Sequence, residues 1–220
     1  MKVDIRATAA DAAQQAAGLC GDRIEAAIDD RGVACIALSG GRTPLGMLRE
    51  LSGRDLCWNR VHIFQADERA CPMDSEDRNF KHIQAILPAQ CHLHPMPVHD
   101  LTEGANGYAR ELGRYAGNPA VLDVIHLGLG ADGHSASLIP GDPVIEITDR
   151  DVAWTAPYLG YRRMTLTFPV LDRARLVFWL VTGAEKRAAL AGLLAGDAAL
   201  PASRVRASDR QVIADVAAGR

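Results

Sequence analysis

The chain has 220 residues, a formal net charge of -3 and 48% hydrophobic residues, which is the composition of an ordinary globular protein. This charge gives no attraction to nucleic acid or anionic membranes, and no apolar stretch reaches the ~20 residues of a membrane-spanning helix. Five cysteines without a C-x-x-C pair, and a start without an apolar signal segment, predict a cytoplasmic protein with reduced thiols.

The first part of the chain alternates between helical and strand patterns. Residues 7–29 are predicted to form an Ala-rich amphipathic helix. VACIALS (33–39) is a nearly unbroken apolar run, which is typical of a strand buried on both faces. Two glycines break this run before a helix predicted at 43–51. A second strand is predicted at 61–67, and a helix near 79–87.

The middle of the chain continues this alternation. HLHPMPV (92–98) predicts a short strand and residues 102–116 a helix. The apolar run at 121–130 is the third clear strand. Two further strands are predicted at 164–171 and 176–183.

The last elements complete the prediction of the fold. Residues 184–196 predict a helix that ends at a glycine, and 211–217 a closing strand. The stretch 141–163 is irregular and leaves room for a small lobe or flap. Strands that alternate with helices predict one α/β domain over residues 1–220, a Rossmann-like open, mostly parallel sheet flanked by helices.

The sequence GLGADGHSASLIPG (128–141) contains G-x-G-x-x-G after an apolar run, the pattern of many dinucleotide sites. Such a site needs a helix at its third glycine, but Pro140-Gly141 follows Gly133 after only seven residues. Asp149 and Asp151 lie at a suitable distance for the ribose, but in a polar stretch rather than at a strand end. The pattern is therefore weak support for a nucleotide, and no cofactor is predicted.

Four unusual stretches each follow a predicted strand. They are SGGRTP (39–44), QADERACP (65–72), GADGH (130–134) and TGAEK (182–186). Each alone could be an ordinary turn or a solvated loop. Because ligands bind at the carboxyl ends of parallel strands, their joint position predicts one site, with glycine amides before a helix start that suit an anion.

These stretches belong to a longer series of motifs. SGGRTP, DERACPMDSEDRNF, GLGADGHSASLIPG, RMTLT and GAEK occur in this order over roughly residues 33–190. The series resembles the 6-phosphogluconolactonase family, within the wider glucosamine-6-phosphate isomerase/6-phosphogluconolactonase superfamily. Ile139 stands where that family usually has Phe, and Arg78 where it usually has Ser. Neither touches the assigned chemistry, although Arg78 could alter the wall of the pocket.

The resemblance implies a hydrolase of 6-phospho-D-glucono-1,5-lactone that needs neither cofactor nor metal. It implies that His134 is the catalytic histidine and that Asp67 and Arg69 form an active-site pair. It also implies that Arg163 and Lys186 are phosphate ligands.

The residue types also fit this chemistry without the family resemblance. A histidine at position 134 can take a proton from water near neutral pH, with Asp132 or a nearby carbonyl orienting its ring. Arg69 could support the developing oxyanion or bind sugar hydroxyls, and Asp67 could hold Arg69 or accept from those hydroxyls. The predicted anion-binding residues are Ser39, Gly40, Gly41, Arg42, Thr43, Arg163 and Lys186, although Arg42 could equally face solvent.

Several alternatives stay open. An amino-sugar-phosphate deaminase/isomerase usually has Asn-Glu shortly after DGH-x-A, whereas this chain continues SLIPG. A non-catalytic sugar-phosphate sensor would carry a DNA-binding segment, for which there is no spare length. No G-x-S-x-G surrounds Ser135 or Ser137. Cys91, His92, His94 and His99 match no standard zinc spacing. The predicted partner is a small phosphorylated lactone, with the chain as monomer or homodimer.

Overall fold

The computed structural model describes residues 1–219, in which the buried apolar runs form the centre of a seven-stranded sheet. The strands in chain order are β1 (Lys2–Arg6), β2 (Ala34–Leu38), β3 (Val61–Gln65), β4 (Asp67–Arg69), β5 (His92–His94), β6 (Val124–Leu127), β7 (Val152–Trp154), β8 (Arg163–Leu166), β9 (Val177–Val181) and β10 (Arg210–Asp215). The helices are α1 (Ala9–Arg31), α2 (Pro44–Ser52), α3 (Asn79–Ile86), α4 (Gly104–Ala116), α5 (Phe168–Arg173), α6 (Arg187–Ala195), α7 (Pro201–Arg204) and α8 (Val216–Gly219). Among residues 1–219, none of the helices has the length and apolar content that a membrane crossing requires.

The large sheet has the strand order β1-β10-β9-β6-β2-β3-β5, and every neighbouring pair is parallel. A three-stranded antiparallel sheet, β4-β8-β7, lies beside it. Parallel strands run in one direction, so their carboxyl ends meet along a common edge of the large sheet.

Helices cover both faces of the large sheet, because successive side chains of a strand point to opposite faces. In β2, Ile36 and Leu38 pack in the cluster that contains α1, α2 and α3. Cys35 and Ala37 pack in the other cluster, with α4, α5, α6 and the small sheet. The predicted open, mostly parallel sheet flanked by helices is confirmed. The prediction of one domain included Arg220, which lies outside the described residues.

Local signals account for the longest helix. Thr8 and Asp11 form a reciprocal capping box at the start of α1, which satisfies backbone N–H groups that have no partner within the helix. The helix ends at Gly32, whose φ of 79° is the left-handed conformation that glycine adopts without a steric penalty.

Some predicted elements are wrong in type or extent. The apolar pattern predicts one strand of the large sheet over residues 164–171, but β8 ends at Leu166 and belongs to the small sheet. The following apolar residues form α5, with Pro169 in its first turn, where its fixed φ suits a helix start. The acidic stretch after β3 is predicted as a loop, yet Asp67–Arg69 is strand β4 and pairs with β8.

Two stretches carry structure that the prediction lacks. Lys2–Arg6 forms β1 at the edge of the large sheet. The stretch 141–163 holds a 3-10 turn at Pro143–Glu146 and strand β7, so it is largely part of the small sheet. The predicted strands at 92–98 and 121–130 are shorter, at His92–His94 and Val124–Leu127.

Candidate active site

A cavity of about 280 Å³ lies at the carboxyl ends of β2, β3, β6 and β9. The four stretches singled out in the sequence all reach it. Ten of the eleven predicted site residues line the cavity, namely Ser39, Gly40, Gly41, Arg42, Thr43, Asp67, Arg69, His134, Arg163 and Lys186. The eleventh, Asp132, lies behind His134 and contacts it.

His134 and Asp132 form a hydrogen-bonded pair on the loop after β6. Nδ1 of His134 lies 2.6 Å from Oδ1 of Asp132, so Nδ1 carries the shared proton and Nε2 keeps its lone pair. Burial alone would raise the pKa of Asp132, but His134, by charge and hydrogen bonds, and the Tyr158 hydroxyl bring the pKa below its usual value. Asp132 is therefore a carboxylate at neutral pH and an orienting partner for the imidazole.

Gly130 leaves the space that this pair occupies. A Cβ at this position would come closer than 3.0 Å to Nδ1 of His134 and Oδ1 of Asp132. Any larger residue would therefore push the two side chains away from the backbone. Gly128, two positions earlier, has open space where its Cβ would be.

Ser135 and Ser137 fix this loop in place. Ser135 donates to the carbonyl of Gly128 at 2.9 Å and accepts from the indole N–H of Trp179 at 2.8 Å. Ser137 donates to Oδ2 of Asp67 at 2.6 Å. Both serines are fully buried, and each hydroxyl is engaged by neighbouring groups. They therefore brace the histidine loop and do not present a free hydroxyl to the cavity.

Asp67 and Arg69 both lie on β4 but do not contact each other. The alternative in which Asp67 holds Arg69 in place is therefore not observed. Arg69 instead donates from Nη1 to the carbonyl of Asp77 at 2.8 Å. Asp67 accepts from Ser137, and from Nδ2 of Asn79 at 3.4 Å. Asn79 lines the cavity, and the sequence prediction did not include it among the site residues.

Glu68, between the two site residues of β4, holds the start of α3. Its buried carboxylate accepts from the backbone N–H groups of Asn79 and Phe80 at 2.9 and 2.8 Å. The Nε of Arg78 lies 3.4 Å from it, and both side chains are almost fully buried. The sequence left open whether Arg78 alters the pocket wall, and it does not line the cavity. It balances the charge of Glu68 beneath the site.

Two buried polar groups of the cavity wall have no hydrogen-bond partner among residues 1–219. They are Nε of Arg163, on β8, and Oγ of Ser39, directly after β2. Burial lowers the pKa of the Arg163 guanidinium. The positive charge of Arg69 lowers it further, whereas the negative charge of Asp67 raises it. A buried cation without a full set of partners gains hydrogen bonds from an anion that enters the cavity.

Lys186 lies at the start of α6, and the loop 39–43 lies at the start of α2. Lys186 was predicted in the first turn of a helix, and it ends the 3-10 turn Ala184–Lys186 directly before α6. The loop 39–43 leads into α2, and Gly41 has a φ of 103°, which other residues rarely adopt.

The charges around the cavity are predominantly positive. Its lining includes four basic side chains and two carboxylates, namely Arg42, Arg69, Arg163, Lys186, Asp67 and Glu185. Within the part of the chain that the structure describes, no three His, Cys, Asp or Glu side chains are placed to hold a metal ion. The arrangement can bind an anionic ligand and bring it to an imidazole whose second nitrogen is oriented by a carboxylate.

Comparison with known proteins shows which family the chain resembles. The family model for glucosamine-6-phosphate isomerases/6-phosphogluconolactonase matches residues 7–214. The 6-phosphogluconolactonase of Synechocystis sp. is 38% identical over 188 residues, which cover 80% of this chain and 78% of that protein. The crystal structure of 6-phosphogluconolactonase from Thermotoga maritima superposes with a TM-score of 0.86 and 28% identity, over 97% of this chain and 98% of that chain.

The fold extends beyond the lactonases. A monomeric glucosamine-6-phosphate deaminase has the same fold, with a TM-score of 0.84 over 99% of this chain and 98% of that chain, at 20% identity. The match to the family model and the identity to the Synechocystis protein both cover most of the chain. The chain therefore belongs to the glucosamine-6-phosphate isomerase/6-phosphogluconolactonase family.

Proposed function

We propose that this protein hydrolyses 6-phospho-D-glucono-1,5-lactone to 6-phospho-D-gluconate, a step of the pentose phosphate pathway. The observation that carries the proposal is the His134–Asp132 pair, which adjoins a cavity lined by four basic side chains. The names of the Synechocystis and Thermotoga relatives support the same reaction. The substrate has both features that this cavity suits, a phosphate and a hydrolysable ester carbonyl.

His134 acts as the general base in this mechanism. Its Nδ1 is bonded to Asp132, so Nε2 is the nitrogen that accepts a proton from water as the water oxygen attacks the lactone carbonyl. The attack forms a C–O bond and moves the carbonyl electron pair onto oxygen. Asp132 stabilises the imidazolium that results, as the carboxylate of a catalytic triad does.

Arg69 supports the negative charge that develops on the carbonyl oxygen. Its guanidinium lines the cavity, where its planar set of N–H donors can stabilise an oxyanion. When the tetrahedral intermediate collapses, the bond between the carbonyl carbon and the ring oxygen breaks. His134 returns its proton to that ring oxygen, which leaves a free hydroxyl and a carboxylic acid, and the acid releases its proton to water to give the carboxylate product. Asp67 is held by Ser137 and is placed to accept hydrogen bonds from sugar hydroxyls.

The phosphate is remote from the reacting carbon and acts as an anchor. We assign it to the loop 39–43, whose amides precede α2, together with Arg163 and Lys186. Ser39 and Arg163 have buried polar atoms without a protein partner among residues 1–219, which suits binding by the substrate. Arg42 lines the same wall and adds to the positive field.

The cellular compartment, the oligomeric state and the cofactor requirement are also part of the proposal. All five cysteines lie in the described residues without a disulfide, and three of them are buried, which suits a reducing compartment such as the cytoplasm. We propose that the protein acts as one domain, as monomer or homodimer, without nucleic acid. It needs neither cofactor nor metal for the chemistry, because His134 supplies the base and Arg69 the charge.

The direct test follows the decay of freshly generated lactone at mildly acidic pH, where spontaneous hydrolysis is slow. We expect catalytic amounts of protein to accelerate the decay, with chelator present, for the phosphorylated lactone only. Release of ammonia from glucosamine 6-phosphate would indicate the deaminase/isomerase instead. Sugar-phosphate binding without turnover would indicate a sensor.

A variant ties the activity to the site. His134→Ala is expected to lower kcat by roughly 10²- to 10⁴-fold, the usual contribution of a general base. Binding of 6-phosphogluconate, measured by calorimetry, should persist, since the basic side chains remain. Replacement of the exposed His99 by Gln is the matched control and should leave kcat unchanged. Normal turnover of His134→Ala would remove His134 from the mechanism.

A further inference from the structure

Two tyrosines lie on either side of a tight turn beside the cavity. The backbone N–H and carbonyl groups of Tyr158 and Tyr161 bond to each other at 2.8 and 3.2 Å. Between them, Leu159 and Gly160 have φ values of 49° and 85°. Two consecutive positive φ values are typical of the two-residue turn that closes a β-hairpin, so this turn sets the spacing of the two tyrosines.

The two phenols reach different loops of the site. The hydroxyl of Tyr158 donates to Oδ2 of Asp132 at 3.1 Å. The hydroxyl of Tyr161 donates to Oδ2 of Asp77 at 2.8 Å. Only the first of these bonds involves the loop that carries His134.

Tyr158 contacts three charged or titratable groups of the site at once. Its ring meets the imidazole of His134 edge-on, with 5.9 Å between ring centroids and 70° between planes. Its face lies 5.1 Å from the guanidinium carbon of Arg163. The Asp132 carboxylate thus has one oxygen on His134 and the other on Tyr158, so neither oxygen is free to turn away.

We propose that Tyr158 is a positioning residue for the Asp132–His134 pair. Its hydroxyl fixes the plane of the Asp132 carboxylate, and that carboxylate fixes the tautomer and direction of the His134 ring. The effect on turnover rests on the proposed lactonase function, whereas the effect on the imidazole does not.

The state of the phenol agrees with this role. Burial and the bond to Asp132 raise the pKa of Tyr158, so the hydroxyl keeps its proton and donates at neutral pH. Tyr158 lies near Arg163 on β8 and near Asp132 and His134 on the loop after β6. The other charged groups around the cavity are Asp67, Arg69, Arg42, Glu185 and Lys186.

The first experiment compares two matched variants, Tyr158→Phe and Tyr161→Phe, in kcat, KM and the pH profile of kcat/KM. For Tyr158→Phe we expect a roughly tenfold lower kcat, since a hydrogen bond to a charged group is lost, with KM changed less than about twofold. Without this donor the carboxylate turns away from Nδ1 for part of the time and stabilises the imidazolium less. The low-pH limb should therefore move to lower pH, by roughly half a unit. Tyr161→Phe should leave this limb unchanged, because its partner Asp77 bonds to Arg69 and not to the Asp132–His134 pair.

A second readout needs no turnover. The imidazole nitrogens of His134 are observed by NMR in protein labelled with ¹⁵N-histidine. Wild-type protein should show a single tautomer with the proton on Nδ1, and Tyr158→Phe a mixture of both tautomers. If the wild type does not hydrolyse the lactone, the proposed function fails and this spectrum still tests Tyr158.

A double-mutant cycle completes the test. If Tyr158 acts through Asp132, Tyr158→Phe should have little further effect on kcat in an Asp132→Asn background. Additive losses would place Tyr158 elsewhere in the mechanism. In an active wild type, unchanged kcat, low-pH limb and tautomer in folded Tyr158→Phe protein would overturn the proposal.

Discussion

The hydroxyl of Ser137 donates a 2.6 Å hydrogen bond to Oδ2 of Asp67, a residue 70 positions away in the sequence. This bond joins the loop that carries His134 to the strand that carries Arg69. Both partners are buried, so water competes poorly for this bond. The proposed base and the proposed oxyanion support are therefore held in one rigid unit.

Ser137→Ala should lower the free energy of unfolding by about 1–3 kcal/mol, because it leaves a buried carboxylate oxygen without its donor. Turnover should fall but persist, since Ser137 is not the nucleophile. Urea denaturation and the lactone assay measure the two effects. Ser52→Ala is the control, because that hydroxyl bonds only to the Arg49 carbonyl within α2. Complete loss of turnover in folded Ser137→Ala protein would contradict this assignment.

Gly130→Ala should lower kcat by at least roughly tenfold, because its Cβ collides with Nδ1 of His134 and Oδ1 of Asp132. Gly113→Ala, on α4 and outside the lining of the cavity, should be nearly neutral, since open space surrounds the position of its Cβ. Steady-state kinetics and circular dichroism on both variants separate misplacement from unfolding. Equal activities of the two variants would show that the pair tolerates displacement.

Lys186→Ala should raise KM roughly tenfold with kcat changed less than about threefold, since it removes one charge-assisted hydrogen bond to the remote phosphate. Arg187→Ala is the matched control, because Arg187 is the next residue, is exposed and does not line the cavity. Both constants come from the lactone assay. An unchanged KM in Lys186→Ala would exclude Lys186 as a phosphate ligand.

The buried side chain of His126 should make the free energy of unfolding sensitive to acid. It is fully buried on β6, and burial lowers its pKa to about 3, compared with ~6.5 in an unfolded chain. Between these values the unfolded chain binds more protons, so stability is greatest above pH 6.5 and falls as the pH drops towards 3. The slope from this residue is at most about 1.4 kcal/mol per pH unit.

His126→Leu should therefore flatten the dependence of unfolding free energy on pH between 7 and 5, as measured by urea titration. Part of the dependence should remain, because burial also lowers the pKa of His62 to about 4. His99→Gln, at an exposed position, should leave the slope as it is. A slope equally steep in His126→Leu and wild type would assign the acid sensitivity to other groups.

The buried strands could be predicted well from the sequence, because short apolar runs that end at glycines are typical of strands covered on both faces. The prediction failed where the pattern was ambiguous. The alternating residues of β1 lie at an exposed edge, where Val3 and Ile5 remain half-exposed, so no strong apolar signal marks the strand. The run after Leu166 is as apolar as a strand, yet Pro169 begins a helix there.

The same limit applies to the site. The strand-end loops could be predicted because parallel strands bring their carboxyl ends together. The contact between Tyr158 and Asp132 could not be predicted, since 26 residues separate them and no motif spacing links them. The placement of Asn79 beside Asp67 depends in the same way on how Glu68 caps α3.

At one edge of the large sheet, two strands from distant parts of the sequence pair with each other. β1 pairs with β10, and β10 fills the position between β1 and β9. The ribosome makes β1 long before its partner β10. During synthesis, therefore, the backbone groups of β1 and β9 that bond to β10 have no partner. Strand β1 can therefore join the large sheet only after residues 210–215 are made, and until then β9 forms an open edge of that sheet.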